Sequence, residues 1–297
     1  MKVLLISGGN SSERKISLIS AGEVKKALQK SGFEVKLFDL RKGLKSLKQA
    51  AKNFDVIFPV LHGEEGEGGV LQEFLAQQNI PYVGGNPEGF KKGWHKIPFK
   101  KFCDQNNIFT AQWKKIRVGD EVGKFELPSV LKSSNGGSSL EVVILKSEED
   151  LKSSAYKELL HSGLPLFIER YLPGIEVTVG ILGDQALPVI EIVPPEGKWF
   201  DYENKYQGTT QEIINAPSLD QKTQKKVQEI ALDIHQKLDL GPYSRIDFIV
   251  SDNIPYVLEI NTIPGFTPES LFPKAAKAIG LNFELLAKKL VELSLKN

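Results

Sequence analysis

The side chains best suited to chemistry lie late in the chain, in Arg245-Ile-Asp247 and then Glu259-Ile-Asn261. Residues two apart in a strand face the same side, so Arg245 with Asp247, and Glu259 with Asn261, project together while Ile246 and Ile260 face a core. If the two strands pair, three hard oxygen side chains meet beside one guanidinium. Asp, Glu and Asn oxygens without His or Cys suit Mg²⁺, which binds through one or two carboxylates plus substrate phosphates. The same pattern also describes a solvent-facing strand pair with Arg–Asp pairing, and both readings stand at this level. Burying an unbalanced acidic cluster is costly without a cation or a positive ligand.

A second group of residues could hold phosphate. Lys132 precedes Asn135-Gly-Gly-Ser-Ser139, a turn whose backbone N–H groups and hydroxyls could close over oxyanions. It is not a P-loop, because the GxxxxGK[ST] order is absent, and Gly8-Gly9-Asn10 lacks the third glycine of a dinucleotide fingerprint. Taken alone, the Gly-Ser turn is read as structural. Lys91, Lys92, Lys96, Lys100 and Lys101 read by default as a solvated helix face, with one or two reaching a ligand. His62 ends a strand and begins a Gly-Glu loop, which leaves a structural and a functional role equally open. His161 and His235 lie in helical patterns. Cys103 reads as a small core residue, with no Ser-His-Asp or Cys-His pattern to join.

These residues need elements to position them. Val3 to Ile6 is a short apolar run closed by the Gly8-Gly9 turn, after which Ala21, Val24 and Leu28 recur at helical spacing. Val35 with Leu37, then Val56 to Val60, continue as strands, the latter entering His62-Gly-Glu-Glu-Gly-Glu-Gly-Gly69 and a helix from Val70 to Gln78. This alternation predicts a parallel α/β sheet with ligands at the carboxyl ends of its strands. Pro81 to Pro87 is dense in breakers and marks a first boundary. A Lys-rich helix from Lys91 to Asn106, strands at Leu131-Lys132, Val142 to Leu145 and Phe167-Ile168, predict a small α+β unit ending near Pro173-Gly174. Beyond it, Val177 to Leu182 and Val189 to Val193 read as adjacent strands. Val227 to Leu238 is an amphipathic helix, Ile246 to Val250 pairs with Tyr256 to Ile260 through Asp252-Asn253, and Phe283 to Leu293 is a closing helix. Residues 194–219 lack sustained periodicity, and an aperiodic loop of that length inside a compact domain reads as a lid.

Composition narrows the class. The chain has 297 residues, with 38 Lys+Arg against 37 Asp+Glu, a net charge of +1. Length alone suggests about two domains. Near-neutrality argues against a protein that coats nucleic acid. A single cysteine allows no intrachain disulfide and no multi-Cys metal site. The first apolar run is shorter than a signal-peptide core, and no stretch approaches the ~20 apolar residues of a membrane span, so a soluble, cytoplasmic protein without a membrane partner is expected.

In their order along the chain these motifs resemble the D-alanine–D-alanine ligase family of ATP-grasp enzymes. The matching segments are Gly8 to Leu18, His62-Gly-Glu-Glu-Gly-Glu67, Ile80-Pro-Tyr82, Lys132 with Gly137-Ser-Ser139, Glu169 to Glu176, Asp201-Tyr-Glu-Asn-Lys-Tyr206, Arg245-Ile-Asp-Phe248, and Leu258 to Thr267 with Ser270. They span nearly the whole chain. The resemblance implies an α/β and α+β, three-domain ATP-grasp architecture: residues 1–87 an N-terminal α/β domain, 88–173 a central subdomain, and 174–297 a C-terminal domain with the lid and metal site. Nucleotide would lie between the last two.

The implied reaction phosphorylates the carboxylate of one D-alanine with ATP. The amine of a second D-alanine then attacks the acyl phosphate, and the dipeptide serves peptidoglycan synthesis. The resemblance assigns Glu13 to the first ammonium, networked with Ser138 and Tyr206. Arg245 and the Gly265 N–H would form the oxyanion site, His62 would lie near the substrate amines, and Ser270 with Leu271 would bind the second carboxylate. Lys96, Lys132 and Lys205 would contact phosphates, Glu169, Tyr171 and Leu172 adenine, and Glu176 ribose. Asp247, Glu259 and Asn261 would hold two Mg²⁺ ions, a role Mn²⁺ can also fill. A homodimer is implied by the family alone. Gly68, His95, Ser133 and Glu141 depart from the usual family residues Asp, Asp, Pro and Gly. Two alternatives remain: a relative that takes D-serine or D-lactate as second substrate, and a nucleotide-binding homologue that has lost catalysis.

Overall fold

The first apolar run forms the central strand of a parallel sheet. In this computed structural model, which describes residues 1–116, 125–137, 141–195 and 210–296, β1 (Lys2–Ser7) lies between β2 (Glu34–Asp39) and β3 (Val56–Pro59). Helices cover both faces of this sheet, so Val3 to Ile6 of β1 and all of β3 are buried and apolar rather than alternating. Helix Arg14–Lys30 buries Ala21, Val24, Ala27 and Leu28 on one face, and Leu44–Ala51 buries Leu47 and Ala51 on the other.

The central sheet is antiparallel in the order β4 (Trp113–Lys115), β7 (Leu166–Arg170), β5 (Ser129–Ser133), β6 (Val142–Leu145). Its own core gathers Leu131, Leu145, Leu159 and Ile168. The third sheet, also antiparallel, contains β8 (Ile175–Leu182), β9 (Gln185–Ala186), β10 (Ile190–Val193), β11 (Gln211–Ile214), β12 (Tyr243–Ser251) and β13 (Ile254–Asn261). Helices Gln221–Lys237, Leu271–Ala278 and Phe283–Ser294 pack on it through Val227, Ile234, Phe272, Leu286 and Leu290.

Asp252 and Asn253 both take positive φ, 50° and 60°, the conformation that lets a two-residue turn match the twist of paired strands. Between the first and third sheets the apolar packing is continuous: Val24 and Leu28 belong to the same cluster as Phe266, Leu286 and Leu290.

Several expectations change. The Lys-rich helix is two helices, Pro87–Trp94 and Lys96–Gln105, separated at His95, which is extended. The break arises because Ser134 takes over the second helix start, its carbonyl accepting from Lys96 N at 2.9 Å and its hydroxyl from Ile97 N at 3.1 Å. Residues 194–219 are not aperiodic throughout, since β11 pairs with β10; residues 196–209 lie outside the described residues. The breaker-rich stretch before Pro87, read as a boundary, is pinned at its end. Asn86 N donates to Asp239 O at 2.7 Å, and a Cβ on Gly89 would sit 1.8 Å from Leu238 O, so no side chain fits there. Helices Leu44–Ala51 and Glu64–Glu67 escape the sequence periodicity.

Candidate active site

Pairing of β12 with β13 puts Asp247 opposite Glu259 and Arg245 opposite Asn261, while Ile246 and Ile260 are buried behind them. The period-two expectation therefore holds at this end of the sheet. Asp247 receives Arg245 through both oxygens, Nε to Oδ1 and Nη2 to Oδ2, each at 2.9 Å. Thr178 Oγ1 donates to Oδ1 at 2.5 Å, and Asn261 Nδ2 to Oδ2 at 3.0 Å. Lys96 Nζ lies 3.4 Å from Glu259 Oε2. Burial works against the Arg245 charge, yet Asp247 and Glu259 outweigh it and raise its affinity for the proton.

Two cavities open from this cluster. The first, about 430 Å³, runs between the central and third sheets and is lined by Lys132, Glu169, Tyr171, Leu172 and Glu176. All the residues expected to face adenine and ribose thus line this one cavity. The second, about 660 Å³, runs toward the first domain and is lined by Glu13, His62, Arg245, Gly265, Ser270 and Leu271. Every described residue expected to hold the two amino acids lies here. The cavities share Lys96, Gly136, Gly137 and Glu259.

The walls differ electrically. Lys132 Nζ lies 2.5 Å from Glu169 Oε1, and Lys100 Nζ donates to Oε2. Burial alone would raise the Glu169 pKa, but the two ammonium groups overcome it and hold it at about 2. On the other side Glu67 accepts from Gly63 N at 2.9 Å and from the Ile263 N–H. Burial, reinforced by Glu13, pushes its carboxyl up to about 8. Burial likewise pushes His62 below the usual imidazole range, with Glu13 opposing.

The Gly-rich turns serve these walls. Leu61 packs so close to Gly66 that a Cβ there would meet Leu61 Cβ at 2.5 Å, so only glycine lets the turn before Glu67 fold back on Leu61. Ser270 turns its hydroxyl back onto Thr267, with Thr267 N donating at 3.1 Å, at the start of helix Leu271–Ala278. A Cβ on Gly137 would lie 3.8 Å from Glu13 Oε2, so the turn leading into Ser138 approaches Glu13.

Ser138, Lys205 and Tyr206 lie outside the described residues. Of the departures, Ser133 Oγ accepts from Asn135 N at 3.2 Å and donates to Asn135 O at 2.6 Å, stabilising the turn without a proline. His95 Nδ1 meets Asn135 Oδ1 at 2.8 Å. Glu141 does line the first cavity, its carboxylate against Gly136. Sequence reasoning passed over Glu67, Lys100 and Glu191 as site residues. Glu191 lines the first cavity and accepts from Ser218 N at 3.0 Å and Ser218 Oγ at 2.7 Å.

Among the described residues no group of three or more His, Cys, Asp or Glu forms a self-sufficient metal site. The donors present are two carboxylates and one amide, an all-oxygen set that fits Mg²⁺ when substrate phosphates complete it.

Comparison with known proteins bears on this arrangement. Residues 41–85 match the family model for the D-ala D-ala ligase N-terminus, and residues 93–292 that for the C-terminus. The chain is 39% identical to a D-alanine–D-alanine ligase of Maridesulfovibrio salexigens, covering 99% of this chain and 98% of that one. It is 37% identical to D-alanine–D-alanine ligase A of Clostridium perfringens, covering 100% and 99%. A crystal structure of the Bacillus anthracis D-alanine–D-alanine ligase complexed with ATP superposes with a TM-score of 0.86 at 30% identity, covering 100% of this chain and 98% of that one.

Proposed function

The chain belongs to the D-alanine–D-alanine ligase family, and from that premise we propose how its own residues divide the work of an ATP-dependent, ADP-forming ligase. The observation that carries the proposal is the junction of the two cavities at Lys96, Gly136, Gly137 and Glu259. ATP in the first cavity would present its γ-phosphate there, and the carboxylate of the first D-alanine would meet it from the second. Holding both in one geometry is worth several kcal/mol of the barrier.

Lys96 and Lys132 contact phosphate oxygens, joined by Lys205. Glu169, Tyr171 and Leu172 receive the base, and Glu176 the ribose. Asp247, Glu259 and Asn261 hold Mg²⁺, which when bound offsets the charge of the triphosphate and polarises the transferring group. Glu13 pairs with the first ammonium, with Ser138 and Tyr206 completing its network and the lid excluding water from the acyl phosphate. Ser270 and the Leu271 N–H at the helix start bind the second carboxylate, and His62 lies beside the amines. When the second amine attacks, negative charge grows on the carbonyl oxygen, and Arg245 with the Gly265 N–H receives it. Arg245 is supported in this role by lining the second cavity while anchored to Asp247.

The division at residues 87 and 173, a homodimer and a cytoplasmic location belong to the same proposal. Among the described residues no helix is long and apolar enough to cross a membrane. Purified protein with ATP, Mg²⁺ and D-alanine should release phosphate and form D-alanyl-D-alanine. ATP turnover that ignores D-alanine would overturn the proposal.

A further inference from the structure

One buried ammonium behind the nucleotide cavity has no place in the set of ligand contacts. Lys100 is 1% exposed, although Lys91, Lys92 and Lys101 on the same pair of helices face solvent. It does not line the cavity, whereas Glu169 and Lys132 do. Its Nζ donates to Thr110 Oγ1 at 2.5 Å and to Glu169 Oε2, and Thr110 donates in turn to Val257 O at 2.9 Å. Lys132 approaches the other oxygen of Glu169. A line of polar contacts therefore runs from the backbone of β13 through Thr110 and Lys100 to a carboxylate on the cavity wall.

A buried ion pair is weak as a stabilising device, because an apolar pair of equal volume often does as well. A fully buried lysine is better explained by what it fixes. Glu169 has free rotation about its side-chain bonds unless both oxygens are held, and only one is held from inside the cavity.

We propose that Lys100 is a positioning residue for base recognition, which from behind the wall fixes the direction of the Glu169 carboxylate and, through it, the place of Lys132. This rests on the assignment of adenine to Glu169 made above. A carboxylate held ionised can only accept hydrogen bonds. It therefore suits a base bearing an exocyclic 6-amino group and opposes a 6-oxo base, which offers another acceptor. Lys100 thus contributes to selectivity without touching the nucleotide.

The test is calorimetric binding of ADP and of GDP, in Mg²⁺, to the wild type, Lys100→Met, Glu169→Gln and the double variant. Lys100→Met should weaken ADP binding about tenfold to hundredfold, the loss expected for a charge-assisted hydrogen bond, and narrow the ADP-over-GDP preference. Because Lys100 acts through Glu169, the double variant should bind ADP within about twofold of Glu169→Gln. Unaltered ADP affinity in Lys100→Met, or losses that multiply in the double variant, would overturn the proposal. If Lys100→Met does not fold, the double variant, which removes both charges, decides it on the same criterion. Wild-type protein that fails to bind ADP also overturns it. ADP binding without D-alanine-dependent phosphate release would instead remove the ligase assignment and leave the Lys100 result standing.

Discussion

Glu169 and Glu67 are the same residue type in nearly equal burial, 2% and 7% exposed, and their surroundings drive them in opposite directions. Burial raises both carboxyls. At Glu169 two lysines reverse it and the pKa falls to about 2, whereas at Glu67 the charge with the largest effect is another carboxylate, Glu13, and the pKa climbs to about 8. Depth therefore sets a direction, and the charged neighbour decides whether that direction survives. The wall of the first cavity is organised around ammonium groups. The wall of the second cavity combines Glu13 and Glu67 with Arg245 and Lys274, a mixture suited to zwitterions.

The comparison breaks most severely where the two walls meet. Glu259→Gln leaves the shape of the junction and removes its charge, so phosphate release should fall by about 10² to 10³, the scale of losing one preorganised electrostatic group. The melting temperature should stay close to wild type; near-normal turnover would show that Glu259 does not serve the junction.

Glu67→Gln sharpens the comparison by pH. The ordinary carboxyl titrates near 4.5 and buried Glu67 near 8, so its contribution is complete below about pH 4.5 and is lost as pH rises toward 8. The variant has no proton to lose, and its melting temperature should gain several degrees on wild type between about pH 5 and about pH 8, at roughly 2 to 4 °C per kcal/mol. A constant difference across that range would place Glu67 among ordinary carboxylates. His235 supplies the acid side. Burial between Ser244 and Gly241 lowers it from 6.5 to about 4, so stability is lost as pH falls through that window, and His235→Gln should flatten the acid limb of a melting-temperature profile.

The smallest effect belongs to charge with no burial. Lys225 and Glu229 are paired on an exposed helix face at 3.8 Å, and Lys225→Ala should change stability by less than about 0.5 kcal/mol in denaturant unfolding.

What could be seen in the sequence follows from the same contrast. The Arg245-Ile-Asp247 and Glu259-Ile-Asn261 cluster was legible because it depends on strand period and a two-residue turn, both local. Lys96, Lys132 and the Gly loops stood out only as motifs in the order of the family they resemble. The pairing of Lys100 with Glu169 was not, because the two are separated by 69 positions and Lys100 looks like its solvated neighbours until the helix docks. Glu67 was visible inside its loop, but its raised pKa depends first on burial in the folded chain and then on Glu13, brought from another turn of the chain. The break at His95 likewise depends on Ser134, a residue just past the end of β5 that no helical periodicity reports.

The meeting of the two cavities is tested most directly by following oxygen. With D-alanine labelled by ¹⁸O in its carboxylate, phosphorylation at the junction makes that oxygen the bridge to phosphorus, and expulsion by the second amine carries it away. Released phosphate should then contain one ¹⁸O for each dipeptide formed. Dipeptide accompanied by unlabelled phosphate would contradict transfer of the γ-phosphate to the carboxylate, and with it the shared junction as the reacting centre.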